Sequence, residues 1–209
     1  MNDLQYLDLS KKQLAVLPDS IADHTRLTTL LLDDNQLASL PDSLGALDDL
    51  RWLALDGNLL TDLPATLGRL TRLERLDARR NRFTVIPECL SRLAALKDLR
   101  IGKNRLTSAP AWLWQLANLE TLDLSENRLA ALPADIGGLA RLWMLDLGHN
   151  QLSALPQALG ELTNLAGYLY LSDNQLAELP ETLGNLQRLT YLNATDNLLA
   201  SLPTRIGDM

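Results

Sequence analysis

The stretch LTTLLLDDNQLASLPDSLGALDD, Leu27 to Asp49, returns in closely similar copies along the whole chain. Its first half follows the spacing L-x-x-L-x-L-x-x-N-x-L, and a proline and further leucines come after it. In the L-x-L part apolar residues alternate with other residues, which predicts a short strand with one buried side. No single copy can bury its own leucines, so successive copies must stack to bury them.

Prolines and asparagines mark the period of the repeat. The nine prolines are spaced 23 residues apart, except for the step of 24 residues from Pro156 to Pro180, and the asparagines show the same single exception from Asn150 to Asn174. The sequence therefore predicts one domain over residues 1–209. It contains about nine repeats, which start near Leu4, Leu27, Leu50, Leu73, Leu96, Leu119, Leu142, Leu165 and Leu189.

Each part of the copy has a structural role that its residue types predict. The asparagine at the end of the strand can donate and accept hydrogen bonds. Stacked asparagines are therefore expected to bond the backbones of neighbouring coils, where one coil is the turn of the solenoid formed by one copy. The proline fixes φ where the chain crosses to the other side of the coil. The LGxLxxL segment predicts a short helical turn, and its glycine, such as Gly45, is expected at a helix end with positive φ.

The pattern resembles the leucine-rich repeat family, specifically its 23-residue LPxxLGxLxxL class, which occurs in Ras-pathway scaffold proteins, plant Ras-group proteins and bacterial effectors. The resemblance implies an α/β solenoid of horseshoe shape. A parallel sheet would form its concave face and short helices or 3-10 turns its convex face. It also implies that the concave face binds other proteins. With about 4.8 Å between strands, nine strands would give a binding surface roughly 40 Å long.

Composition narrows the functional classes. The net charge is −7 and the pI is about 4.8, which argues against binding to nucleic acids or anionic membranes. Cys89 is the single cysteine, so no internal disulfide can form, and this favours a cytoplasmic location. The N-terminus lacks the pattern of a secretory signal. Secretion into a host cell as an effector, by another kind of signal, stays an alternative. The alanine-rich, simple repeat is typical of bacterial members of the class.

The sequence predicts no enzyme active site, cofactor or metal site. Its two histidines, His24 and His149, are about five repeats apart, and Cys89 is expected on the convex side. A base must lie close to its nucleophile, and a zinc site needs clustered Cys and His residues. No phosphate-binding or dinucleotide-binding glycine motif is present. The repeat spreads the carboxylates over an open sheet, where little burial is expected to shift their pKa values.

Aromatic residues concentrate on the predicted solvent-facing side of the strands, which we call the sheet face. It comprises the second, third, fifth, seventh and eighth residues of each copy, and six of the eight Trp and Tyr residues fall there. Large aromatics are typical binding anchors, although isolated surface aromatics are common. The predicted partner-binding residues are Trp52, Arg75, Arg79, Arg100, Trp143, Met144, Tyr168, Tyr170 and Tyr191.

Two alternatives remain open for parts of this surface. The basic residues of the third to fifth copies fit either a binding band or a solvated sheet with charges paired across strands, as Asp77 and Arg100 would be. On the convex side, Trp112 and Trp114 form either a second contact site or a local repair of a coil that has Ala109 before its proline.

One copy, which contains TNLAGYLYLSDNQL (Thr163 to Leu176), is one residue longer than the others. The leucine spacing places the added residue between Leu165 and Leu169. Gly167 is the expected insertion, because glycine tolerates the backbone angles of a bulge. The insertion lies in the aromatic part of the sheet face, but a neutral slip in a repetitive gene explains its length equally well.

Three functional hypotheses follow. The first is a non-enzymatic module that binds a protein partner on the sheet face. The second is the recognition or regulatory arm of a larger enzyme, such as a bacterial effector ubiquitin ligase or a kinase. The third is self-association through the ends of the repeat array. Both ends lack the polar caps that solenoids normally need, and the first copy has Lys12 in place of the asparagine.

Overall fold

The computed structural model describes residues 4–209, in which short strands alternate with short 3-10 helices. The nine strands are β1 (Tyr6–Asp8), β2 (Thr29–Leu31), β3 (Trp52–Ala54), β4 (Arg75–Asp77), β5 (Asp98–Arg100), β6 (Thr121–Asp123), β7 (Met144–Asp146), β8 (Tyr168–Tyr170) and β9 (Tyr191–Asn193). The nine 3-10 helices are η1 (Asp19–Asp23), η2 (Asp42–Ala46), η3 (Ala65–Arg69), η4 (Glu88–Arg92), η5 (Ala111–Gln115), η6 (Ala134–Gly138), η7 (Gln157–Glu161), η8 (Glu181–Asn185) and η9 (Thr204–Asp208).

The chain divides into two compact units, Met1–Asn104 and Arg105–Met209. In the first unit β1 to β5 pair in parallel and in chain order. In the second unit β6 to β9 do the same. The predicted parallel sheet and 3-10 turns are therefore confirmed. The prediction of a single domain over 1–209 stays a prediction, and its residues 1–3 lie outside the described part of the chain.

Leucines from both sides of each coil fill the core. In the second coil Leu27, Leu30 and Leu32 come from the strand side and are fully buried. Leu44 and Leu47, from η2 and the residue that ends it, are also fully buried. Burial of a leucine side chain contributes about 1.5–3 kcal/mol, so a coil with five such leucines depends on its neighbours for most of its stability.

The asparagines form the predicted ladder between coils. The side-chain oxygen of Asn150 accepts a hydrogen bond from the Leu129 N–H of the preceding coil at 3.0 Å. Its side-chain nitrogen donates to the Leu124 carbonyl of the preceding coil at 3.0 Å and to the Leu147 carbonyl of its own coil at 3.1 Å. Asn58 bonds its own and the preceding coil in the same way. Asn58 and Asn150 thereby satisfy backbone groups in a buried corner of the coil.

The prediction that the helix glycines need positive φ was wrong. Gly45 and its equivalents have ordinary φ values, but a Cβ at Gly45 would overlap the Thr66 carbonyl of the next coil. Close stacking of the 3-10 helices therefore selects glycine. Left-handed backbone occurs instead at the residue before the asparagine, as in Asp34 (φ 52°) and His149 (φ 54°), with Gly57 (φ 68°) in the third coil.

Gly160 and Gly207 occupy the same position in two different copies and give a matched test of this packing. A Cβ at Gly160 would overlap the Thr182 carbonyl, whereas a Cβ at Gly207 would have no neighbour within 4 Å. We expect Gly160→Ala to lower the free energy of unfolding by about 1–3 kcal/mol. Gly207→Ala should change it by less than about 0.5 kcal/mol. Urea denaturation measures both, and equal effects would contradict the packing explanation.

Within residues 4–209 no helix has the length and apolar character needed to cross a bilayer.

Candidate functional site

The predicted binding residues fall into two groups, one in each compact unit. Trp52, Arg75, Arg79 and Arg100 lie in or just after strands of the first unit. The second unit holds the remaining five, Trp143, Met144, Tyr168, Tyr170 and Tyr191.

In the first unit Arg75 differs from the other predicted arginines. Its guanidinium lies 6.0 Å from the centre of the Trp52 ring, a cation–π distance. Within the described residues it forms no ion pair. Together with Asp77, Asp98 and Arg100 these two side chains line a shallow depression of about 190 Å³.

The other two arginines of this group are paired with carboxylates along their own chain segment. Arg79 contacts Asp77 at 2.6 Å, and Arg100 contacts Asp98 at 3.0 Å. Asp77 and Arg100 are strand partners, as the sequence indicated, yet both bond residues two positions away instead. Surface pairs contribute roughly 0–1 kcal/mol, and these half-buried pairs remain accessible enough for a partner to exchange them. Partner binding by Arg79 and Arg100 stays a prediction.

The second unit carries a continuous aromatic patch, which we define as Trp143, Tyr168, Tyr170 and Tyr191. Tyr168 contacts all three other rings, with centroid distances of 5.8 Å to Trp143, 5.9 Å to Tyr170 and 5.8 Å to Tyr191. Tyr170 also lies 5.5 Å from Tyr191. The four rings thus form one connected surface across β7, β8 and β9.

Strand alternation explains why these rings face solvent. Leu169, between the two tyrosines of β8, is fully buried, so its neighbours point to the sheet face. Trp143, Tyr168 and Tyr191 keep 47%, 40% and 45% of their surface exposed, and Tyr170 is half-buried. Met144, the fifth predicted residue of this group, begins β7 and is half-buried. The core does not require the aromatic residues of the patch, because leucines already fill it.

The residue under the patch is Gly167, next to the extra residue of the eighth copy. The Gly167 N–H donates to the Trp143 carbonyl of the preceding coil at 2.9 Å. The Trp143 N–H donates in the same way to the Glu120 carbonyl of the coil before it, so Gly167 and Trp143 occupy equivalent positions in their coils. Gly167 is therefore in register, and Ala166 is the added residue, which corrects the expectation for Gly167. A Cβ at Gly167 would lie 2.8 Å from three carbons of the Trp143 ring. Glycine is thus required because the indole packs directly on its backbone.

Beside the patch lies a carboxylate with an altered pKa. Burial raises the pKa of Asp146 to about 6, and the negative charges of Asp123 and Glu126 add to this rise. Two neighbours lower the pKa of Asp146 and so oppose this rise: the N–H of Gly148, which donates to the carboxylate at 3.0 Å, and His149. The expectation that an open sheet leaves carboxylate pKa values unshifted was therefore wrong here.

A pKa raised in this way predicts a stability cost at neutral pH. An unfolded aspartate titrates near 4, so between pH 4 and 6 the folded chain binds more protons at Asp146 than the unfolded chain does. The free energy of unfolding should therefore fall as pH rises through this window. Asp146→Asn removes the titration and can keep the Gly148 bond, so it should be more stable than the wild type at pH 7.5 and similar at pH 4.

Urea denaturation between pH 4 and pH 7.5 checks this prediction. Asp135→Asn makes the same change of charge at an exposed position on η6, away from the strands, and should follow the wild-type profile. Identical profiles for the wild type and Asp146→Asn would contradict the proposed cost.

Three other candidates for a functional site are the cysteine, a metal site and the tryptophan pair on the convex side. Cys89 is buried, and burial raises the pKa of its thiol to about 11, which disfavours the reactive thiolate. In residues 4–209 no group of three His, Cys, Asp or Glu side chains could hold a metal ion. Trp114 is only 2% exposed and Trp112 is half-buried, so this pair packs within its coil, and Trp114 offers no contact surface.

Comparison with known sequences identifies the repeat. The description "Leucine-rich repeat region" matches residues 1–107, and "Leucine rich repeat" matches residues 94–152, 118–167 and 168–186. No curated protein matches the chain.

Solved structures give the same result. A leucine-rich repeat protein of Leptospira interrogans is 32% identical with a TM-score of 0.68, and the match covers 94% of this chain and 62% of that one. A Listeria monocytogenes internalin is 25% identical with a TM-score of 0.84, over 98% of this chain and 58% of that one. The ectodomain of the Arabidopsis thaliana receptor kinase GASSHO1/SCHENGEN3 is 29% identical with a TM-score of 0.74, over 93% of this chain and 27% of that one.

This chain therefore spans less than two thirds of the length of each of these three structures. Its repeat pattern, its parallel strands with 3-10 turns and the family match over residues 1–107 agree with one another. The chain belongs to the leucine-rich repeat family, whose domains are protein-interaction modules.

Proposed function

We propose that the chain is a non-enzymatic interaction module that binds a protein partner on the sheet face of its second unit. The aromatic patch is the proposed centre of that contact. The predicted contacts of Trp52, Arg75, Arg79 and Arg100 in the first unit stay predictions.

The observation that carries this proposal is the connected surface of four aromatic rings, which the core does not need. Three of the rings are at least 40% exposed, and all ring contacts fall between 5.5 and 5.9 Å. Exposed aromatic surface costs free energy in water and is typically retained where a partner covers it. The rings also pack on each other, so little side-chain freedom is lost on binding.

Two relatives support a protein partner. The GASSHO1/SCHENGEN3 ectodomain was solved in complex with CASPARIAN STRIP INTEGRITY FACTOR 2, and the plant peptide hormone receptor RGFR1 was solved in complex with RGF2. These complexes belong to those proteins. For this chain they favour a peptide or protein ligand over a small-molecule substrate.

Capture from native lysate, compared between variants, tests the proposal. The wild type and Tyr6→Ala should retain the same partner, because Tyr6 is an exposed sheet-face tyrosine of the first unit. Tyr168→Ala/Tyr191→Ala should lose it. If every protein captured by the wild type is also captured by the double variant, the proposed contact surface is wrong.

The other two hypotheses stay predictions. A role as the recognition arm of a larger enzyme requires a catalytic segment encoded in the same gene, which the length of the open reading frame decides. Self-association through the ends of the repeat array requires a mass above that of the monomer. Light scattering over a range of concentrations measures this.

A further inference from the structure

The sheet face of the second unit is acidic as well as aromatic. Its sheet-face positions contain no Lys or Arg, in contrast to those of the first unit. The carboxylates at these positions are Glu120, Asp123, Glu126, Asp146, Asp173 and Asp196. Such a surface attracts cations and repels anions at neutral pH.

Asp146 is a carboxylate that adjoins the tyrosines of the aromatic patch, whereas Glu120 lies beside Trp143. It ends β7, and its strand partner on β8 is Tyr170. Neighbouring strands lie about 4.8 Å apart, so the carboxylate adjoins a ring of the patch. Within the described residues no Lys or Arg pairs with Asp146, and its carboxylate accepts a hydrogen bond from Gly148. A half-buried carboxylate without a cation is unusual, because burial of a charge normally requires a partner.

The rings beside this carboxylate also favour a cation. The face of a Trp or Tyr ring carries negative potential and attracts Lys or Arg within about 6 Å. Tyr168 and Tyr170 are stacked, with 17° between their planes, and Tyr191 meets Tyr170 at 51°. A cation that reaches Asp146 would therefore lie near aromatic faces as well.

We infer that Asp146 and the aromatic patch together bind a lysine or arginine side chain in a basic segment of the partner protein. This inference rests on the proposed function and specifies the chemistry of the partner. The aliphatic part of the side chain packs on the tyrosine rings, and its charged end meets the carboxylate.

The negative charge of this face also favours a basic segment over a second copy of the chain or an acidic segment. A second copy of this chain that used the same face would bring the same carboxylates, so a symmetric contact through this face is disfavoured. An acidic segment would be repelled in the same way. On the other side of Trp143, Arg141 and Arg188 line a depression together with Glu120, so positive and negative charges are mixed there. The cationic side chain is therefore expected toward the ends of β7 and β8, where Asp146 and Tyr170 lie.

A selection from random peptides displayed on phage tests the inference without a known partner. Immobilised wild-type chain selects the peptides, and those that also bind Tyr168→Ala/Tyr191→Ala are discarded. We expect the remaining peptides to be enriched in Lys and Arg over the unselected library. Patch-dependent peptides without this excess, or with an excess of Asp and Glu, overturn the inference and leave the proposed function in place. A selection that yields no patch-dependent peptide overturns the proposed function as well.

The affinity of a selected basic peptide then locates the cation. At pH 7.5 Asp146→Asn should weaken binding about tenfold, because it removes a charge-assisted hydrogen bond. Asp135→Asn makes the same change of net charge on η6 and should bind like the wild type. An equal loss in both variants would mean that only net charge matters, and no loss in Asp146→Asn would mean that the cation lies elsewhere. Either result overturns the inference.

The pH dependence provides a readout that a purely structural role of Asp146 would not give. A bound cation favours the ionised carboxylate, so protonation of Asp146, with its pKa of about 6, should weaken binding as pH falls from 7.5 to 5. The two proteins compared both carry His149→Gln, so that the neighbouring imidazole makes no contribution, and one of them also carries Asp146→Asn. The remaining groups that face Asp146 are Asp123, Glu126 and Tyr170, and they are the same in both proteins. Affinity should fall more steeply in the protein that keeps Asp146 than in the one with Asp146→Asn, and parallel profiles overturn the inference.

Discussion

Replacement of Asn150 by alanine is expected to lower the free energy of unfolding by about 2–4 kcal/mol, a large effect for a single residue. The change leaves the buried N–H of Leu129 without its acceptor. The carbonyls of Leu124 and Leu147 each lose one of two side-chain donors and keep the bond from the neighbouring asparagine, Asn127 or Asn174. Each unsatisfied buried group costs about 1–3 kcal/mol. Alanine is also too small to fill the corner, so the loss adds to that of the bonds.

Asn197 provides the matched control for this prediction. It makes equivalent bonds to Leu176, Leu171 and Ala194, but it is only half-buried in the last coil. Water can replace part of the lost bonds there, so Asn197→Ala should cost about 1 kcal/mol. Denaturant unfolding followed by circular dichroism measures both variants. If Asn150→Ala costs no more than Asn197→Ala, burial is not what makes the ladder stabilising.

The second large effect concerns binding. We expect Tyr168→Ala/Tyr191→Ala to weaken partner affinity about 100-fold, which corresponds to about 2.7 kcal/mol. Central, well-packed aromatic residues typically contribute about 2 kcal/mol or more each, and the two contributions are not additive because the rings touch at 5.8 Å. Titration calorimetry with the purified partner gives the affinities.

Stability must be unchanged for this result to report on binding. Both tyrosines are at least 40% exposed, and the adjacent core residue Leu169 remains in place. The double variant should therefore unfold within about 1 kcal/mol of the wild type. Tyr6→Ala, at the same repeat position in the first unit, should bind normally. A variant that folds and still binds with wild-type affinity would contradict the role of the patch.

The sequence was sufficient to predict the structural features that every copy shares. Alternation around leucines such as Leu30 predicted the strands and their buried side. The residue type of Asn58, which can donate and accept at once, predicted the ladder. The same alternation placed Tyr168 and Tyr191 on the exposed side of their strands, where they are found. Repetition makes these predictions reliable because each copy imposes the same physical requirement.

Features that depend on contacts between particular copies were harder to predict. The glycine found in six of the nine described 3-10 helices was expected to adopt a positive φ, but Gly45 is needed because the next coil approaches its Cα. The left-handed residue before each asparagine carries different side chains, such as Asp34 and His149, and so leaves no constant signal. The pKa of Asp146 depends on its burial and on its neighbours in the next coils, which a single copy does not reveal.

The proposed binding surface has a cost in stability. At neutral pH the ionised, half-buried Asp146 lowers stability, and exposed aromatic rings add to that cost. A surface selected only for folding would have replaced both with neutral polar residues. The proposed binding surface explains why a costly carboxylate and exposed aromatic rings occur together. It also explains why glycine stands at position 167, where a methyl group would displace Trp143.

The most direct test of the proposed surface is the nuclear magnetic resonance signal of the Trp143 indole N–H during titration of the wild-type chain with its purified partner. Trp143 belongs to the aromatic patch and is 47% exposed, so its environment must change when a partner covers the patch. We predict a large shift of this signal that saturates with the binding curve. A saturated complex in which the Trp143 signal has not moved would contradict the central claim.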